Sequence, residues 1–184
     1  MDTHTSSATA GRTTPERIAT GSWRIAEDRS RIGFRVRKMR LYSVKGRFRS
    51  IQGQVEFGSE GLPERGEATL DAATITTRIP PRDWHLRSVD FLDVDRHPLI
   101  KFTAERVVPA VNGSFTVRGQ FEIHGQRRPV ELGGHLHATG EQVALHLQGV
   151  LNRHDFGIRA RQPFEMVVGD EVHLDVELAL EPTV

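Results

Sequence analysis

Apolar residues recur at every second position along most of the chain, which is the period of a half-buried β-strand. Ile32, Phe34 and Val36 share one face of a first segment, with Arg31, Arg35 and Arg37 on the other. Ile100, Phe102 and Ala104 form a second inward set, and Phe115, Val117, Gly119, Phe121 and Ile123 a third. Val130, Leu132, Gly134 and Leu136 follow, then Val143, Leu145, Leu147, Gly149 and Leu151, then Val172, Leu174, Val176, Leu178 and Leu180. Two segments, about 44–57 and 66–77, alternate less regularly. They hold Gly46, Gly53 and a phase slip near Ala72-Ala73, the marks of bulges or bends.

Short turns join these segments. His124-Gly125-Gln126-Arg127 suits a two-residue hairpin with Gly125 at the first central position, and Thr139-Gly140-Glu141-Gln142 makes another. About eight strands connected this way predict an all-β, up-and-down antiparallel sheet. Each strand is apolar on one face and charged on the other, and closure into a barrel covers the apolar face and removes sheet edges. An eight-stranded barrel is wide enough for its own side chains or for one small ligand. The inward glycines bear on that choice. With the turn at Gly125-Gln126, Gly119 faces Leu132 and Gly134 faces Val117. Glycines at 119, 134 and 149 serve either as bends that curve the barrel or as the walls of an apolar cavity, and the sequence leaves both readings open.

One stretch breaks the alternation. Residues 81–98, PRDWHLRSVDFLDVDRHP, open after Pro80 and close on Pro98, and place Trp84, Leu86, Val89, Phe91 and Leu92 among four aspartates and three arginines. Pro80-Pro81 can start a helix, and Asp83 favours the positive end of its first turn. A short helix over roughly 81–89 is expected, with Trp84 on one side and Leu86, Val89 and Leu92 on another. Its apolar side would cap an open barrel end.

These residues also carry a resemblance. Arg82-Asp83-Trp84-His85-Leu86, then Asp90-Phe91-Leu92-Asp93, then His97-Pro98-Leu99-Ile100-Lys101-Phe102 are similar to the central signature of the bacterial YceI-like family, which runs roughly RD-x-HL, DFFD and YP-x-I-x-F. Further pieces follow in order: Trp23-Arg24-Ile25, Ser30 to Val36, Val44-Lys45-Gly46-Arg47-Phe48, Ile75-Thr76-Thr77, Val117 to Gly125, and Asn152-Arg153-His154-Asp155-Phe156-Gly157. The resemblance covers about residues 22–181, with residues 1–21 read as a disordered lead. Three positions depart from the pattern: Ala73-Thr74 stands where a serine is usual, Leu92 replaces the second Phe, and His97 replaces the Tyr. The resemblance implies an eight-stranded antiparallel lipocalin-like barrel with a short helical insertion. It further implies non-catalytic binding of a long isoprenoid, a polyprenol or quinone-type lipid, inside that barrel. The wall expected from it, together with the inward aromatics, is Phe34, Phe48, Phe57, Trp84, Leu86, Phe91, Phe102, Phe115, Val117 and Phe121. His85, Arg82, Arg40 and Arg153 are candidates to hold a head group. No cofactor is called for beyond a bound isoprenoid lipid or quinone.

Charge and composition narrow the alternatives. The chain has 184 residues, 37% of them hydrophobic and 27% charged, with a net charge of +1. That balance fits one globular domain and argues against a nucleic-acid partner. The absence of cysteine excludes disulfides and thiolate metal sites. The first twenty residues lack the basic start and apolar core of a secretory signal, so a cytoplasmic location is expected, although many proteins of the resembled family are periplasmic. Between Arg29 and Arg49 there are nine basic residues and no acidic one. This run is either a solvated outer face or a basic rim near Lys38, Arg40, Lys45 and Arg47, able to hold a pyrophosphate or touch an anionic membrane. A homodimer stays open.

The nine histidines give no strong metal pattern. His135, His137, His146 and His173 fall on outward phases, with His135 about opposite His146. Asp90, Asp93, Asp95 and His97 lack the glycine and terminal glutamate of a calcium loop and are read as turn and cap residues, so no metal is expected. No G-x-S-x-G, H-E-x-x-H or phosphate loop occurs. Two other functions compete with carriage of an amphipathic long-chain lipid: an enzyme with His85 as acid or base in the same pocket, and an interaction module whose interior is filled with side chains.

Overall fold

A computed structural model describes residues 18–38, 42–111, 113–139, 142–159 and 168–183. Among the described residues, ten strands alternate inward apolar and outward polar side chains: β1 (Gly21–Ile25), β2 (Arg31–Lys38), β3 (Tyr42–Phe48), β4 (Ile51–Phe57), β5 (Pro63–Asp71), β6 (Leu99–Pro109), β7 (Ser114–Ile123), β8 (Gln126–Thr139), β9 (Gln142–Asn152) and β10 (Val168–Pro182). Neighbours run antiparallel in the order β1-β4-β5-β6-β7-β8-β9-β10, and β10 returns to β1, closing a barrel of eight strands. The expected fold class holds.

The two remaining strands explain the irregular stretches of sequence. A 3₁₀ turn at Glu27–Arg29 separates β1 from β2, and Arg49-Ser50 separates β3 from β4. β1 pairs with β4 and β2 with β3, so two bent strands each supply two labelled pieces. The 15-residue β10 serves both pieces: its end pairs with β1 through Leu180↔Ile25, and its first part pairs with β2 through Leu174↔Phe34. The β2–β3 hairpin thus projects past the start of β4. Its outer strand is tied back by one bridge, in which the Arg47 and Thr76 backbones exchange hydrogen bonds of 2.9 and 2.8 Å. The phase slip near Ala72-Ala73 is a 3₁₀ turn over Ala72–Thr74, and the helix α1 spans Pro80–Arg87.

The β7–β8 register corrects the expected turn. Ile123 pairs with Gln126, so His124 and Gly125 are the two central residues, with φ of 52° and 70°. Two positive φ values give a turn whose twist matches the strands. His124 can adopt this conformation, so the turn forms one residue earlier than the glycine alone suggests. Gly119 therefore faces Val130, Val117 faces Leu132 and Phe115 faces Gly134. Order also begins before residue 22. Ile18 packs against the core, Trp23 Nε1 donates to the Ala19 carbonyl at 3.0 Å, and Thr20 Oγ1 donates to the Gly58 carbonyl. Residues 1–17 of the expected lead lie outside the described residues.

Candidate functional site

The inward aromatics meet inside the barrel. Phe57, Phe115 and Val117 are buried in the core, and Phe34, Phe48, Leu86, Phe102 and Phe121 are partly buried against it, whereas Phe91 is buried in the segment between α1 and β6. Phe102 and Phe121 face each other with ring centroids 4.8 Å apart, and Phe34 and Phe48 lie 5.9 Å apart. Trp84 is a correction to the expected wall: it is 72% exposed. Helix α1 buries the Asp83 side, and successive helical residues differ by about 100°, so Trp84 turns to solvent. Arg40 lies outside the described residues.

The inward glycines enclose no large void. A Cβ at Gly134 would meet the Phe115 ring at 2.1 Å, one at Gly46 the Phe34 ring at 2.3 Å, and one at Gly149 the Leu132 side chain at 2.4 Å. Each glycine seats a bulky neighbour. Gly119 approaches backbone instead, with the Thr103 carbonyl 2.2 Å from a Cβ position, beside the register shift between Ala104 and Arg106. That one serves curvature. The interior is mostly filled, because bulky side chains of neighbouring strands take the volume that these glycines vacate, which favours the packing reading of the two left open by the sequence.

Among the described residues, two small apolar cavities lie inside the barrel. The first, about 60 Å³, is lined by Ile32, Ile51, Leu70, Ile100, Leu132 and Val176 among other apolar residues. The second, about 50 Å³, lies toward Ile25, Val55, Phe115, Val117 and Leu145. Ala68, Phe102, Leu147 and Leu178 line both, so these four residues form the partition. Leu174 lines the first cavity and also an open groove of about 910 Å³ beside the β2–β3 hairpin. Arg31, Arg35, Lys45, Arg47 and Arg78 border that groove, together with His173 and Asp175. Lys45 and Arg47 of the basic run thus line this groove. The His146 hydrogen bond at 2.6 Å, joined by Gln148 and Arg31, holds the Asp175 carboxyl below its usual range against the opposing effect of burial.

The insertion between β5 and β6 is held by a buried carboxylate. Asp83 accepts hydrogen bonds from Thr76 Oγ1 (2.8 Å), Thr77 N (2.7 Å) and Thr77 Oγ1. Burial alone would raise its pKa, but these bonds and the nearby Arg87 outweigh burial and hold it below the ordinary value. The role read from sequence, a charge at the helix start, is the lesser one. Arg82, a head-group candidate, donates to Thr77 Oγ1 at 2.7 Å and to the Thr77 carbonyl, so it braces this corner. His85 stacks edge-on against Phe91 at 5.0 Å and lies 3.5 Å from Asp90, at the lid rather than in the apolar interior.

Arg153 is likewise committed to structure. It is 4% exposed and donates to the carbonyls of Gly169, Ile158 and Val168 and to Asp170. Asn152 caps the following turn, Phe156 is buried, and Gly157 takes φ of 71°. The Asn152-to-Gly157 motif is a corner that anchors the start of β10. Its arginine is a correction to the head-group candidates: a guanidinium spent on three backbone carbonyls and Asp170 anchors this corner.

The histidines divide into two groups. His135 does pair with His146 across β8 and β9, as expected, but each has its own partner, Ser114 for His135 and Asp175 for His146. A second group is new: Asp93, His97 and His124 bring a carboxylate oxygen and two ring nitrogens within 4.8 Å of one another. Turn roles do hold for Asp93, whose carbonyl accepts from Arg96 N and His97 N. The signal missed in the sequence is hairpin arithmetic. β6 and β7 are antiparallel neighbours, so the residues leading into β6, His97 among them, come to rest beside those that follow β7, His124 first.

Known proteins agree with this architecture. The family model described as the YceI-like domain matches residues 23–180. A UPF0312 protein of Vibrio cholerae is 26% identical over 157 residues, covering 82% of this chain and 79% of that protein. One from Photorhabdus laumondii is 26% identical over 136 residues, covering 70% of each. Among solved structures, BcnA of Burkholderia cenocepacia superposes with a TM-score of 0.79 at 18% identity, covering 84% of this chain and 98% of that one. A polyisoprenoid binding domain from Saccharophagus degradans superposes at 0.69 with 14% identity, covering 90% and 100%. With a family model spanning residues 23–180, most of its length, the chain belongs to the YceI-like domain family.

Proposed function

We propose that the protein binds a long-chain isoprenoid or similar lipid without catalysis, its hydrocarbon in the barrel and its head group toward the basic groove. The observation that carries this reading is the succession of linings from Leu174 at the groove, through the 60 Å³ cavity, past Ala68, Phe102, Leu147 and Leu178, to the 50 Å³ cavity. This is an apolar path interrupted by side chains. Cavities of about 150 Å³ hold benzene, so a hydrocarbon chain enters only if the partition moves. Transfer of each buried CH₂ from water contributes about 0.8 kcal/mol toward that displacement. A polyisoprenoid-binding neighbour of the same fold supports the ligand class. Arg31, Arg35, Lys45 and Arg47 suit a phosphate or pyrophosphate head group, or an anionic bilayer from which the ligand is collected.

Organic extraction of the purified protein followed by mass spectrometry tests the ligand class, and uptake of a fluorescent polyprenol tests the site. Val117→Trp fills the second cavity and should reduce uptake in a barrel that retains its far-UV spectrum. Equal uptake by this folded variant would remove the interior as the site. The small cavities also favour a second reading, a packed interaction module. Extraction that yields no lipid, together with no uptake by the wild type, would select it.

A further inference from the structure

We propose that Asp93, His97 and His124 form a binding site for a divalent transition-metal ion of the zinc class, which fastens the insertion to the β7–β8 hairpin. The site does not depend on the lipid reading. Its ligand atoms already lie within 4.8 Å of one another. Around a tetrahedral zinc with bonds of about 2.0–2.2 Å, ligand atoms stand about 3.3 Å apart. The cluster therefore needs to close by at most about 1.5 Å, within reach of side-chain rotation by two half-buried imidazoles.

The backbone is arranged for this convergence. The His97 amide donates to the Asp93 carbonyl at 2.8 Å, a turn that brings the two residues back toward each other. Asp93 adopts φ of 45°, a region non-glycine residues seldom occupy and one that recurs at ligand clamps, and the hairpin turn fixes His124 at 52°. The His97 and His124 rings lie 4.7 Å apart, and a Cβ at position 125 would meet the His97 ring at 2.9 Å, so Gly125 makes the space in which that ring sits. The Asp93 side chain is 11% exposed, and its recorded ion pair is a 3.8 Å approach by the largely exposed Arg96, beyond hydrogen-bonding distance. A carboxylate so placed, facing two imidazoles, is a ligand set for a cation.

The donor chemistry selects the ion. Two nitrogens and one oxygen suit zinc, cobalt, nickel or copper, whereas calcium and magnesium prefer all-oxygen shells. Three protein ligands leave a coordination position for water or an exogenous donor. The ion would join Asp93 and His97, at the end of the lid, to His124, at the tip of a hairpin, and so resist separation of the two.

The test uses the tag-free full-length chain stripped with a chelator. Co²⁺ is titrated by absorption, Zn²⁺ by calorimetry, and thermal unfolding is followed with and without Zn²⁺. Three variants remove one ligand each: Asp93→Asn, His97→Gln and His124→Asn. Asparagine tolerates positive φ, and Asn-Gly favours this turn, so the first and third keep the backbone. The expected result is one ion per wild-type chain, a zinc-dependent rise in melting temperature, and at least tenfold weaker binding in every variant with an unchanged metal-free melt. His146→Gln, on the far histidine pair, should bind as the wild type does. Equal affinity in wild type and His124→Asn, or loss of binding in His146→Gln, would overturn the proposal.

Discussion

Phe34 and Arg35 are neighbours on β2, and Leu174 and Asp175 are neighbours on β10; all four line the groove, but one member of each pair also packs into a region of opposite character. Phe34 and Leu174 join the core, where packing leaves cavities of only 60 and 50 Å³. Arg35 and Asp175 border an open groove of about 910 Å³ dominated by arginine and lysine. One two-residue period builds both. The interior is sensitive to volume, because Gly46, Gly134 and Gly149 are each covered by a bulky side chain of a neighbouring strand. The groove is sensitive to charge, and its exposed side chains do little for the fold. Changes on the two faces of one strand should therefore separate stability from ligand capture.

The largest effect expected is inside. Phe115→Ala removes the ring that covers Gly134 and should cost about 3–5 kcal/mol, measured by urea unfolding; a loss below about 1 kcal/mol would mean that the interior is looser than its cavities indicate. Next is Asp83→Asn, which leaves the Thr76 and Thr77 donors poorly matched and should cost about 1–3 kcal/mol at pH 7. The cost is pH-dependent with a defined sign. Asp83 titrates below its ordinary 3.8, so its stabilisation is complete above that value and is lost as pH falls through the lower folded-state value. Unfolding curves of wild type and Asp83→Asn should thus converge on acidification below about pH 4. A gap that widens instead would contradict the network.

Smaller effects belong to the partition and the groove. Phe102→Leu thins the wall between the cavities and should cost about 1 kcal/mol while raising polyprenol uptake. Unchanged uptake would place the constriction elsewhere. Arg35→Glu with Arg47→Glu should change stability by less than about 0.5 kcal/mol per site, yet weaken flotation with anionic vesicles. Equal flotation would reduce the groove to a solvated face.

Strand positions, the closed sheet and the helical insertion were legible because alternation and proline punctuation are local signals. The helix observed at Pro80–Arg87 is close to the expected 81–89. Three features were not legible, each because it depends on what lies across the fold. Periodicity reports which face a glycine occupies, not which ring from the next strand will cover it, as Phe115 covers Gly134. Trp84 looked inward by size, but the buried Asp83 fixes the helix rotation through Thr76 and Thr77, seven and six residues upstream. Arg153 looked available by charge, whereas its partners Val168 to Asp170 come from the next strand. The YceI-like motifs RD-x-HL and NR-x-DFG prove to be fastenings of the two corners, so their recognition identified the fold more directly than the ligand.

Methyl NMR of the barrel titrated with a long-chain polyprenol tests the central claim most directly. Methyl groups of Ala68, Leu147 and Leu178, which separate the two cavities, should shift together and saturate at one ligand per chain. Interior methyls that stay fixed at saturating lipid, or shifts confined to the exposed Val150 and Val108, would contradict an occupant inside the barrel.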